Sequence, residues 1–273
     1  MGSCWSRQSE KNIKASYNNY IPAPMLIHYV SFSLFPFLAP HGFPGISIYK
    51  IRYTICCERG CLFVEKYEEV DYYLAVKILG AQYLKSVISP DRSLQGKMPE
   101  VSFVGRSNVG KSSMINSLTM RKVAKTSSTP GATRLVNLYL IEYEHGGVRQ
   151  QVIFSDFPGF GYSKVSKATQ QGWQKMIEGY IEGNKEIKRI IWVYDVRREP
   201  DHLDEMLLEW FFDRKLPFSV VLTKTDKESR GYAANKKRLF KEYVKKVEIL
   251  TFSAKTGEGR KELLAHIIDA GND

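Results

Sequence analysis

Apolar and polar positions divide the chain in two. From about residue 99 onward, short apolar runs alternate with amphipathic stretches. Val101-Ser102-Phe103-Val104 is apolar and partly β-branched and predicts a buried strand, while 113–118 predicts a helix. Two β-rich runs, 135–143 and 148–155, are joined by His145-Gly146-Gly147, a hairpin signal. A helix follows over 166–183. The chain then alternates: strand 189–194, helix 203–212, strand 218–222, helix 233–244, strand 247–252 and helix 260–268. Such alternation predicts an α/β fold with a mostly parallel sheet covered on both faces, to which the hairpin adds one antiparallel strand. Residues 76–94 fit either a short strand or a helix docking on this domain, and the Thr/Ser-rich stretch 121–134 reads as a loop.

Residues 1–75 follow neither pattern. The apolar, aromatic stretch 25–40 is too short to span a membrane and is broken by Pro36 and Pro40. No helical period or strand alternation is evident, so 1–75 is expected to be a poorly structured or non-native extension, with a folded domain over 76–273. One origin is a GTG start codon at Val76 with upstream sequence translated in error. The other is a lineage-specific extension such as a transit segment, although Arg and Ser are not enriched and acids are present. Met1-Gly2-Ser3-Cys4-Trp5-Ser6 formally matches a myristoylation signal.

Composition is ordinary for a soluble globular protein, 43% apolar and 25% charged. Charge is not. The first 75 residues hold 7 Lys and Arg against 6 Asp and Glu, so +10 of the net +11 falls on 76–273. That excess suggests a polyanionic partner, RNA or a ribonucleoprotein before an anionic membrane. Cys4, Cys56, Cys57 and Cys61 all precede the domain, which suits a reducing, cytoplasmic setting for it. Cys57-x-x-x-Cys61 lacks the second ligand pair of a zinc site.

The chemistry begins at Gly105-Arg106-Ser107-Asn108-Val109-Gly110-Lys111-Ser112, which fits G-x-x-x-x-G-K-[ST], the P-loop, between predicted strand and helix. Glycines let the backbone curl so that N–H groups converge on phosphate oxygens, and the helix N-terminus adds partial positive charge. Lys111 is placed to reach β- and γ-phosphates, and the Ser112 hydroxyl to ligate Mg²⁺. A glycine-rich turn that binds nothing is the alternative. Three more stretches end predicted strands, the edge at which open α/β sheets bind ligands. In Asp156-Phe157-Pro158-Gly159 the carboxylate can hold Mg²⁺ opposite Ser112, and the Gly159 N–H can meet the γ-phosphate. In Thr223-Lys224-Thr225-Asp226, Asp226 can accept two hydrogen bonds from guanine that adenine does not offer, and the Lys224 stem can cover the base. Phe252-Ser253-Ala254-Lys255 can bring backbone N–H groups to the guanine oxygen.

Together these residues resemble a translation-factor-related GTPase, and more narrowly the EngB (YihA/YsxC-type) family of ribosome-biogenesis GTP-binding proteins. The resemblance is carried by Gly105 through Ser112 with Ser113, by Ser128-Thr129-Pro130-Gly131-Ala132-Thr133, and by Asp156-Phe157-Pro158-Gly159-Phe160-Gly161-Tyr162. The stretches 173–181 and 221–226, and Asp195-Val196-Arg197 with Pro200, also fit. It covers about residues 76–268.

The resemblance implies a P-loop NTPase of the small GTPase type, with three layers, and a role in assembling the large ribosomal subunit, with cell division and septation as associated processes. It implies GTP/GDP and Mg²⁺ as ligands, and a precursor of the large subunit or its rRNA as partner. A monomer without stable membrane association is expected. Gly131, Ala132, Thr133, Arg134 and Leu135 are implied around the phosphates. Thr133 is implied as a metal ligand beside Ser112 and Asp156, and the catalytic set is Lys111, Thr133 and Gly159. From the residues alone Thr126 and Thr129 serve equally well, so Thr133 rests on the family. Thr223 stands where most GTPases place asparagine, as the family does. Arg134, where a glutamine-like residue is expected, and Phe157, where an aliphatic is commoner, depart from the pattern.

Phe160 follows Asp156-x-x-Gly159 at the position of a water-orienting glutamine. An aromatic ring cannot orient water, so unassisted hydrolysis is expected at about 10⁻³ s⁻¹ or below, with help from a partner or a monovalent cation. Asn108 stands where related GTPases coordinate potassium (K⁺). A loop asparagine bonding its own backbone is the alternative, and both stay open. Competing functions are a P-loop kinase, which would need an arginine-rich lid and not Asp226, and a membrane-associated regulatory GTPase anchored through the N-terminal extension.

Overall fold

The computed structural model describes residues 29–37, 46–57, 60–71, 76–126, 135–160 and 167–269. The chain divides into two units, Met1–Asp71 and Tyr72–Asp273. In the first, β1 (Tyr29–Phe37), β2 (Ile46–Cys57) and β3 (Gly60–Asp71) form an antiparallel sheet in the order β1-β2-β3. Three strands therefore stand where the sequence pattern predicted no regular structure. They are rich in Ile, Val, Tyr and Phe, residues that favour extended backbone even without clean alternation.

In the second unit the elements are β4 (Val76–Val87), β5 (Glu100–Gly105), α1 (Lys111–Thr119), β6 (Val136–His145), β7 (Val148–Asp156), α2 (Lys167–Glu182), β8 (Ile187–Asp195), α3 (His202–Asp213), β9 (Phe218–Thr223), a 3₁₀ turn (Thr225–Lys227), α4 (Arg230–Tyr243), β10 (Ile249–Phe252) and α5 (Arg260–Asp269). The seven strands lie in the order β10-β9-β8-β5-β7-β6-β4. β6 pairs antiparallel with both β7 and β4, and the other pairings are parallel. One strand thus runs against the rest, as the hairpin predicts.

Alternation along the strands builds two cores. In β8, Ile190, Trp192 and Tyr194 face α2, α3 and α4, while Ile191 and Val193 face α1 and α5. Met114, Ile115 and Leu118 of α1 and Leu263, Leu264, Ile267 and Ile268 of α5 close one face. Ile177, Tyr180, Leu207, Phe211 and Phe240 close the other. The central strands β5, β8 and β9 are buried on both sides over most of their length, which is why they read as largely apolar runs.

The ambiguous segment 76–94 contributes the edge strand β4. Its pairing with β6 slips at two bulges, between Ile78 and Gly80 and between Tyr83 and Lys85. An extra residue at each bulge reverses the alternation, so no period of two survives in the sequence. Among the described residues no helix is long and apolar enough to cross a membrane.

Candidate functional site

Gly105, Asp156, Asp195, Thr223 and Phe252 are the last residues of β5, β7, β8, β9 and β10, so five parallel strand ends meet along one edge. β5 is the middle strand of seven, and the loop after it leads into α1. A Cβ on Gly105 would lie 2.3 Å from the Val193 carbonyl oxygen, so only glycine lets β5 leave the sheet here. Asn108 (φ 62°) and Gly110 (φ 108°) take left-handed backbone, which curls the loop over the N-terminus of α1. Lys111 Nζ donates to the Gly105 and Arg106 carbonyl oxygens at 3.1 Å each. An ammonium carries three protons, so one remains for an anion above the loop. Burial pushes the Lys111 ammonium down from its ordinary pKa, and the nearby Asp156 opposes that shift.

Ser112 Oγ donates to Asp156 Oδ2 at 2.6 Å. Asp156 Oδ1 is buried and has no hydrogen-bond partner among the described residues. Burial pushes the Asp156 carboxyl up, against the charge of Lys111 and the bond from Ser112. A hydroxyl and a carboxylate in contact, with a buried carboxylate oxygen unsatisfied, are the donor set a magnesium ion takes. The residues present fit that ion.

Gly159 lies against the P-loop. A Cβ there would sit 2.5 Å from Ser107 Cα. Ser107 N donates to the Phe160 carbonyl at 3.0 Å, and Arg106 and Phe160 form a parallel bridge. The Phe160 ring is 7% exposed and packed in the core, with the Arg106 guanidinium carbon 5.8 Å from its centroid. The position expected to carry a water-orienting side chain is thus turned inward. Arg106 Nη1 donates to both Asp201 carboxylate oxygens at 2.7 Å, tying the loop to the N-cap of α3.

The second cluster sits at the ends of β9 and β10. The Thr223 hydroxyl lies 2.8 Å from the Val109 carbonyl and 3.1 Å from that of Tyr194. It faces the P-loop backbone. Lys224, with φ 61°, donates from Nζ to the Asn108 carbonyl at 2.6 Å. Ser253 Oγ donates to Asp226 Oδ1 at 2.7 Å, which fixes the carboxylate's orientation and takes one of its lone pairs, so both oxygens can still accept a bond.

Several expected residues have buried side chains, which leaves only their main chain to meet a ligand. Val109, Phe157, Thr225 and Phe252 are buried, and the Phe157 ring meets Tyr180 edge-on at 5.1 Å. That contact accounts for the aromatic residue in place of an aliphatic. Leu135 begins the described segment before β6 and is partly exposed. Gly131, Ala132, Thr133 and Arg134 lie outside the described residues, as do Thr129 and Lys164. Lys236, counted from sequence among the cations around α4, is turned inward. It is 4% exposed and paired with Glu199 at 2.5 Å, so it does not present charge to a polyanion. The links Arg106–Asp201 and Lys224–Asp195 were not read from sequence, because their partners are far apart in the chain.

A loop of this kind at the end of the middle strand, with an aspartate ending the neighbouring strand and a second aspartate just past a strand two places away, makes the second unit a P-loop GTPase domain. The profile of a family described as 50S ribosome-binding GTPase matches residues 100–224. A probable GTP-binding protein EngB of Syntrophus aciditrophicus (strain SB) is 41% identical over 196 residues, 70% of this chain and 95% of the relative. The probable GTP-binding protein EngB of Aquifex aeolicus (strain VF5) is 41% identical over 197 residues, 72% of this chain and all of the relative. Among solved structures, Era in complex with MgGDPNP and nucleotides 1506–1542 of 16S ribosomal RNA is 31% identical with a TM-score of 0.51, covering 64% of this chain and 57% of that one. The chain belongs to the EngB family.

Proposed function

We propose that this protein is a GTP-controlled switch that acts, in the cytoplasm and as a monomer, on a precursor of the large ribosomal subunit or its rRNA. The family's link to cell division and septation is read as a consequence of that role. The observation that carries the switch reading is the 2.6 Å contact between Ser112 and Asp156. It joins the phosphate loop to the turn ending at Gly159, so whatever occupies the loop is felt by the turn.

Lys111 holds negative charge at the β- and γ-phosphates, the α1 N-terminus adds its dipole, and the Gly159 N–H reads the terminal phosphate. Ser112 and Asp156 hold magnesium, with Thr133 as a further ligand on the strength of the family resemblance. Magnesium, when bound, supplies charge neutralisation on the phosphates. Asp226 and Lys224 select the base, with main-chain groups of 252–254 beside it. With Phe160 packed in the core, unassisted hydrolysis is slow, about 10⁻³ s⁻¹ or below. A partner particle, or potassium held at Asn108, supplies the missing help.

Support for a ribosomal partner comes from the family profile and from the +10 charge of residues 76–273. The test is cosedimentation with ribosomal particles in the presence of a non-hydrolysable GTP analogue or GDP. The bound fraction should differ between the two. Equal fractions would remove the switch reading even if binding itself is real.

A further inference from the structure

We propose that Asp195 is a positioning residue for nucleotide binding, acting through Lys224 without touching the ligand. The inference rests on the nucleotide site described above. Asp195 ends β8 in register with Thr223, the last residue of β9, so its side chain emerges beside the Thr223–Asp226 turn. That side chain is 6% exposed, and its Oδ2 lies 3.0 Å from Lys224 Nζ. Arg197 braces the same carboxylate from the other side. Its Nε donates to Oδ1 at 2.9 Å, its Nη2 to Oδ2 at 2.7 Å and its backbone N to Oδ1 at 3.1 Å.

Lys224 needs such an anchor. Its left-handed backbone is unfavourable for a residue with a Cβ, and its four-carbon stem has many rotamers. A single bond to the Asn108 carbonyl fixes the ammonium at one point. The carboxylate adds a second, charged acceptor and holds the stem along a defined path beside Asp226. The result is a stitched seam. Consecutive residues Thr223 and Lys224 bind consecutive P-loop carbonyls, Val109 and Asn108, so the base turn and the phosphate loop are held in one geometry. Burial works against a charge on Asp195, but the bonds from Arg197 and Lys224 outweigh it and hold the carboxyl at about 2, so the anchor is ionised throughout the neutral range.

The experiment measures displacement of a fluorescent guanine nucleotide from the full chain and from D195N, K224M and the double variant. D195N should weaken GDP and GTP about tenfold, and inosine triphosphate by the same factor, because Asp226 still reads the base edge. In the K224M background the D195N change should have no further effect. Thermal unfolding without nucleotide should be nearly unchanged. Wild-type affinity in D195N overturns the proposal. So does a double variant whose losses multiply, since Asp195 would then act independently of Lys224. If D195N does not fold, R197Q at an exposed position carries the same cycle, with an expected loss of about threefold that vanishes in K224M. An unchanged affinity in R197Q then overturns the proposal. The nucleotide site itself is judged separately: equal displacement by ATP and GTP in the wild type would remove that reading, whatever D195N does.

Discussion

Single side chains decide what the site recognises and how the fold responds to acid. On the function proposed above, Asp226 offers guanine two acceptor positions, and Asn at that position would offer one acceptor and a clashing donor. A site built to bond ring N–H groups rejects an analogue lacking them by about 10⁴-fold. Wild-type protein should therefore ignore ATP in a displacement assay, and D226N should bring ATP and GTP closer together by weakening GTP. His266 governs a different property. Arg189 Nη1 lies 2.8 Å and Ser219 Oγ 2.7 Å from its Nε2, and arginine can only donate. Nε2 must accept, so the folded imidazole is neutral with its proton on Nδ1. Burial, then the Arg189 charge, push its pKa down to about 4. The unfolded value is about 6.5. Stability from this site is whole above the unfolded value and is lost as pH falls toward 4, about 1–2 kcal/mol between pH 7 and 5. Asp204 acts with the opposite sign, since burial raises its carboxyl to about 6 and the fold gains as it protonates. The measurement is therefore the difference between wild type and H266Q in denaturant midpoint at pH 7 and pH 5. The variant should lose less on acidification, and equal losses would refute the assignment. These contacts mark the limit of what sequence shows. The P-loop is legible because its ligands are contiguous, whereas Thr223 meets Val109 across 114 residues and Arg106 meets Asp201 across 95.

At the scale of elements, the boundary near residue 76 has a physical meaning. Val76 is the first residue of β4, and its pairing with His145 closes the edge of the larger sheet. A chain beginning at Val76 should keep the thermal midpoint and nucleotide affinity of the full chain, because it retains every element of the GTPase domain. A clear drop in either would show that residues 1–75 support the domain. A chain beginning at Ile88 loses β4 and the partial burial of Val76, Ile78, Leu84 and Val87. That loss is about 5 kcal/mol, or about 10–20 °C in Tm for a domain of this size. Helices and buried strands after residue 100 were legible because each keeps its own period. β4 was not, because each bulge resets the alternation that marks a strand.

For the whole molecule, charge sets the expected behaviour. Of the cations around α4, Arg238, Lys241, Lys245 and Lys246 are exposed, and Arg238 is shared with Glu242 at 2.8 Å. Lysines and arginines facing phosphates release counterions, so affinity for ribosomal particles should fall about 10³-fold between 50 and 200 mM salt if about six contacts form. GTP should shift that affinity, and by linkage the particle should shift GTP affinity by the same factor. Sedimentation at two salt concentrations reads the first effect and nucleotide titration with and without particles the second. No stretch of sequence names the partner, because a charge excess specifies a sign and not a shape. The bulges of β4 bear on a different matter, contact between copies of this chain. An open sheet can grow sideways wherever an edge presents a long, flat ladder. Here one edge, β10, is four residues long, and the other is interrupted at Leu79 and Leu84 and carries Lys77 and Lys85. Neither edge offers a long, flat, uncharged ladder, so growth of the sheet from copy to copy is disfavoured at both ends.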